Sequence, residues 1–133
     1  MLQSRSILAK KLPTDGERIS VMSRHTLPDG KTPDARITPD KFDVHMPIFA
    51  APPEYVGAYY RGELTFDEYA EAYREHLRKH IDDVIGLVQK CKKETITVLC
   101  IEDTAEHCHR RILLEFAQEL AIILSQPLET KIN

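Results

Sequence analysis

The chain has no long apolar run, few glycines, only three cysteines and no excess of positive charge, and each shortage removes a class of function. No stretch approaches the roughly 20 apolar residues that a bilayer-spanning helix needs. The opening MLQSRSILAKKLP holds only a short apolar stretch, which is not the core of a secretory signal. Three cysteines is an odd number at no framework spacing, which points to free thiols in a reducing cytoplasm. The five glycines make no Gly-rich dinucleotide loop, so a redox enzyme is disfavoured and no cofactor is implied. A formal net charge of −3 argues against a wholesale nucleic-acid coat. No internal repeat and no low-complexity tract is present.

What remains is an ordinary soluble composition, 42% hydrophobic and 29% charged, in 133 residues. That length suits one domain over 1–133 and is enough to bury a core. Residues Ser6–Ala9 read as a short first strand. Arg18–Arg24 reads as a second, because Ile19 and Val21 alternate with Ser20 and Met22. Arg24–Pro53 is irregular, holding six of the eight prolines and a turn signal at Pro28–Gly30. A loop that long in a compact domain is uncommon and often functional.

Helical signals follow. Pro53 suits a first helical position and Gly62 a helix stop. Thr65 and Glu68 make a capping-box pattern ahead of Tyr69, Ala70, Tyr73, Leu77, Ile81, Val84, Ile85 and Val88. These keep to one helical face, which predicts a long helix over 66–90 with a break near His80. Tyr55, Tyr59, Tyr60, Tyr69 and Tyr73 invite a base-stacking reading, but Tyr69 and Tyr73 lie on that apolar face, which favours core packing. Thr95–Ile101 is β-branched and apolar, as a strand covered on both faces would be. A last helix and an edge strand within LETKI complete the pattern. Strands alternating with helices predict an α/β fold: a largely parallel, Rossmann-like sheet with helices packed on it.

The chemistry concentrates in LCIEDTAEHCHRR, where the apolar strand gives way to the last helix. Asp103 with Glu106 suggests the helix N-cap. A wheel centred on Phe116 puts His109 about 20° from the buried centre and His107 on the solvated side. Cys108 and Arg110 border the inward face, and the long Arg110 stem lets its head swing over the sheet edge. Cys100 and Glu102 end the strand, and in open α/β sheets ligands collect at such carboxyl ends. Arg24 and His25 end the earlier strand and would open onto the same edge. A helix start beside arginines suits a phosphate or carboxylate. The candidate site is therefore Glu102 and His109 for proton transfer, with Arg24, His25, Arg110, Cys100 and Cys108 around the ligand. Cys100, Cys108 and His109 lack the tight paired-cysteine knuckle of structural zinc sites, so no metal is expected from spacing. The bland readings are a hydrogen-bonded His109, core cysteines, and Glu102 paired with Arg24 or Arg110.

Leu99, Cys100, Glu102, Cys108, His109 and Arg110 resemble the signature of the domain-of-unknown-function 488 family: Leu-Cys, one residue, Glu, five residues, then Cys-His-Arg. Tyr59–Leu77 resembles that family's helix-and-cap segment. Val21–Asp34 falls where the family has a strand ending in Asp-Val-Arg and a Pro-bearing loop. Met22 stands where the family pattern has Asp, while Arg24 matches its Arg. The resemblance implies an α/β fold with the Cys-His-Arg helix edging a pocket, and it brings no established reaction. The residues themselves favour a hydrolase or transferase acting on a phosphorylated small molecule or nucleotide. A nucleic-acid-associated module, kept alive by HCHRR, and a non-catalytic interaction domain are the alternatives. Nothing in the sequence sets an oligomeric state.

Overall fold

The computed structural model describes residues 1–102 and 104–133. Five parallel strands form one sheet: β1 Leu2–Ser6, β2 Glu17–Ser20, β3 Val44–His45, β4 Ile96–Cys100 and β5 Thr130–Lys131. Their order across the sheet is β3-β2-β4-β1-β5. Four helices connect them: α1 Pro53–Tyr60, α2 Phe66–Lys79, α3 Ile81–Cys91 and α4 His109–Ile123. The α/β architecture with a parallel sheet is as the sequence predicts. Among the described residues no helix is long and apolar enough to cross a membrane.

Two strands are shifted from the sequence reading. β1 runs earlier than Ser6–Ala9, because Leu2 to Ser6 lie in register with Ile96 to Cys100. β2 stops at Ser20, after which the chain leaves the sheet with one more bond, from the Val21 N–H to the Leu99 carbonyl at 3.0 Å. Within the irregular segment, Val44 and His45 pair with Ile19 and Ser20 and make an edge strand. The turn at Pro28–Gly30 forms, with Gly30 at φ 72° and the Gly30 N–H bonded to the Leu27 carbonyl at 2.9 Å.

The helices form where local signals place them. The Thr65 side chain accepts the Glu68 N–H at 3.1 Å and the Glu68 carboxylate accepts the Thr65 N–H at 2.9 Å, closing the capping box. His80 leaves helical geometry and divides the long apolar stripe into α2 and α3. Leu2, Ile19, Ile96 and Val98 pack beneath Tyr73, Leu77, Val84, Val88, Ile112, Leu113 and Ala117, so one sheet face carries the helices over a single apolar core. All five residues of β4 are buried. Its second face is covered partly by polar groups, where Arg18 and Asp15 pair at 2.6 Å and Thr97 bonds the Asp15 carbonyl, and partly by a smaller apolar cluster of Leu99 with Ile7, Met22 and Ile37. Gly16 lets the chain enter β2, since a Cβ at that position would lie 2.0 Å from the Thr95 carbonyl oxygen.

Strand order places the site. From β2 the chain turns outward to β3, whereas from β4 it turns the other way, over β1 to β5. Adjacent parallel strands whose connections diverge leave a crevice at their carboxyl ends. Here that crevice lies between Ser20–Arg24 and Cys100–Glu102.

Candidate functional site

A cleft of about 690 Å³ opens there, walled by the 22–36 loop, by α1 and by the segment after β4. That volume suits a small molecule rather than a polymer groove. Cys100, Glu102 and His109 line its floor, and Arg24 lies on its rim. Four of the seven residues expected at the site therefore do share one hollow.

Glu102 is the centre of the floor. Its Oε1 accepts the Tyr60 hydroxyl at 2.8 Å, and its Oε2 lies 3.1 Å from the Cys100 sulfur and 3.2 Å from that of Cys108. It pairs with neither Arg24 nor Arg110. Burial pushes its carboxyl up, but the donors from Cys100, Tyr60 and Cys108 outweigh burial and hold it below the usual range. The same neighbourhood, burial first and the Glu102 charge second, raises the Tyr60 hydroxyl.

His109 is buried and points inward, as its helical angle predicts. Nε2 lies 2.9 Å from the Val21 carbonyl, so this nitrogen carries the proton and donates it. Nδ1 then faces the Cys100 and Cys108 sulfurs, at 3.8 Å from each. Burial lowers the imidazole, yet Cys108 beside it reverses the sign and the net displacement is upward. Of the two thiols Cys108 is the more acidic, drawn down from its usual value by the Cys100 thiol and by His109, against burial. Cys100 is pushed up by that same pairing and by burial.

Three expected residues do not line the cleft. Arg110 does not swing into the cleft. It is fully buried, with Nη1 donating to the Glu102 backbone carbonyl at 2.8 Å and Nε and Nη2 donating to the Asn133 carbonyl at 3.3 and 3.2 Å. Its stem borders the core as predicted, but its head is drawn to the backbone carbonyls of Glu102 and Asn133 rather than to the cleft. His25 turns away as well: its Nε2 is 2.7 Å from the Ser20 hydroxyl, and its ring lies 4.2 Å from His45 and 4.6 Å from Phe42. Cys108 lies beneath the floor, buried against Cys100, Leu99 and Met22. Met22 is itself part of this apolar patch and also touches the cleft.

The helix start is also later than the sequence suggests. α4 begins at His109 with Cys108 at the N-cap, and Glu106 is exposed. Asp103, the other half of the expected cap, lies outside the described residues. His107 is exposed as expected, although it also borders the cleft and packs edge-on to Phe66.

Sequence reasoning did not place Tyr59, Tyr60, Arg36 or Arg61 at the site, yet all four line the cleft. Arg36 is held by Asp34 at 2.8 Å and Arg61 by Glu63 at 2.9 Å. Arg24 donates only to the Gly30 carbonyl, at 3.3 Å, and has no carboxylate partner among the described residues. The RG pair closing α1 was a visible signal for the helix end, but not for which tyrosine would reach the strand.

A family model described as the active DUF488-N3 subclade matches residues 4–121. The chain belongs to that family. Comparison with curated proteins and with solved structures gave no match. The DUF488-N3a match spans β1 through nearly all of α4, so the strands and the helix that frame the cleft all lie within it.

Proposed function

We propose that the cleft binds a phosphorylated small molecule, a nucleotide being the best fit, and that the protein acts on it as a hydrolase or transferase. The observation that carries this reading is Arg24. Its guanidinium stands on the cleft rim with a single backbone acceptor, while the other two rim arginines already have carboxylates. An exposed, uncommitted guanidinium facing a concave site is a ready partner for phosphate oxygens. Tyr59 and Tyr60 give the same wall an aromatic surface on which a base can rest.

Glu102 lines the same hollow. It is ionised, oriented by Tyr60 through one oxygen, and placed to take the proton of an attacking water or hydroxyl as the leaving group departs with its electron pair. His109 holds the floor rigid through Val21 and acts behind Glu102 rather than on the ligand.

The test is calorimetric binding of nucleoside mono- and diphosphates and of phosphosugars to the wild-type protein and to Arg24→Ala. Loss of one charge-assisted contact should weaken binding about 10- to 100-fold. The melting temperature without ligand should stay unchanged, because Arg24 is exposed. Equal affinity in the variant, or no phosphorylated ligand bound by the wild type, overturns the reading.

A further inference from the structure

The geometry points to a divalent metal site of the zinc class, formed by Cys100, Cys108 and His109 with Glu102 at the fourth corner. The Sγ, Sγ and Nδ1 atoms all lie within 4.8 Å of one another. Both sulfurs are 3.8 Å from Nδ1, and the Glu102 Oε2 is 3.1 and 3.2 Å from the same two sulfurs. Zinc bound tetrahedrally by thiolate, imidazole and carboxylate has neighbouring ligand atoms about 3.5–3.8 Å apart. Four of the six donor-to-donor separations are thus already close to the edges of one coordination tetrahedron.

Three further features favour a metal over a plain hydrogen-bonded cluster. A sulfur-to-nitrogen separation of 3.8 Å is long for a thiol hydrogen bond, and Nδ1 has no closer partner among the described residues. The other ring nitrogen is committed to the Val21 carbonyl, which fixes the tautomer with the Nδ1 lone pair aimed at both sulfurs. Metal-binding histidines are oriented in this way by a backbone carbonyl behind them. Cys100, Cys108 and His109 are also at most 7% exposed, so the donor set is buried and rigid, while Cys100 and His109 still touch the cleft through which an ion can enter.

The ligands come from two elements that the fold brings together, the end of β4 and the start of α4. This explains why sequence spacing alone disfavoured zinc: the donors are set by a strand end and a helix start rather than by a cysteine hairpin. The assignment rests on donor geometry and does not depend on the phosphate reading; with the ion bound, Glu102 would serve it as a ligand rather than as the base of that reading.

The experiment is titration of the full chain, stripped with chelator and kept reduced, with Zn²⁺ and with Co²⁺. One equivalent of zinc per chain should bind and raise the melting temperature. The cobalt form should show thiolate-to-cobalt charge transfer and the strong visible bands of tetrahedral coordination. Cys100→Ser and Cys108→Ser should each remove about half of the charge-transfer intensity, since each removes one of two thiolates. Cys91→Ser, which alters the buried thiol at the end of α3, should leave it unchanged. Arg24→Ala should also bind metal normally, which separates this outcome from failure of the anion site. A wild-type chain that takes up no stoichiometric zinc, or a cobalt spectrum without charge transfer, overturns the assignment even if a cysteine variant fails to fold.

Discussion

Arg110 is fully buried, and its guanidinium spends its donors on backbone carbonyls of two separate segments. It holds the residue that carries the Glu102 side chain without touching that carboxylate. Truncating it would leave the partly buried Glu102 carbonyl unpaired, at a cost of about 1–3 kcal/mol, release the contact to exposed Asn133, and open a cavity where a fully buried side chain now packs. Arg110→Ala should therefore lower unfolding free energy by about 2–5 kcal/mol, measured by urea denaturation. An unchanged midpoint would show that these carbonyls find water instead. The helical wheel was enough to place the Arg110 stem at the border of the core and His109 at its centre. Where the guanidinium would end was not legible, because its acceptors come from residues 8 and 23 positions away in sequence. Tyr60 was hidden for the same reason: its hydroxyl meets a carboxylate 42 residues on, although the rest of the ring is largely exposed.

At the scale of elements, the short connection from β1 to β2 is organised by one carboxylate. Asp15 accepts from Arg18 at 2.6 Å, from Arg5 at 3.1 Å and from the Leu12 N–H at 2.9 Å, under the polar face of the sheet. Burial raises its pKa, but the Leu12, Arg18 and Arg5 donors outweigh burial and the net displacement is downward from 3.8. A depressed carboxylate contributes stability that is fully present above about pH 4 and is lost as pH falls through the folded value. Asp15→Ala should cost about 3–5 kcal/mol at neutral pH, since it strands a buried arginine. Its stability curve should also be flatter than the wild type's below pH 4. Parallel acid curves for the two proteins would assign the acid sensitivity elsewhere. Elements set by local chemistry were legible: the Thr65 capping box, the break at His80 and the Pro53 start all depend on neighbours within four residues. Elements set by pairing were not. β3 is two residues long and exists because Ile19 and Ser20 offer it a ladder, and the true position of β1 follows from its register with β4.

For the molecule as a whole, the strand that completes the sheet comes late in the chain and sits in its middle. β1 and β2 are separated by a short connection but do not touch, because β4 lies between them and bonds to both. Pairings this distant in sequence carry a large loop-closure cost before any contact repays it. Val98 is fully buried in β4 beneath the helices, so Val98→Ala should slow refolding by nearly the whole of its equilibrium destabilisation. If stopped-flow data place the change in the unfolding rate alone, β4 docks after the barrier. The parallel α/β plan was legible from alternation of strand and helix patterns, whereas the insertion of β4 between β1 and β2 was not, since hydrophobic patterning does not encode which strands are neighbours. The arrangement also has a cost during synthesis. A growing polypeptide leaving the ribosome has already exposed its first two strands and three helices, with only the two-residue β3 to cap one open edge, by the time residues 96–100 emerge. Until then those edges and the apolar sides of the helices are available to chaperones and proteases, so how quickly translation delivers that one segment bears on how much protein survives to fold.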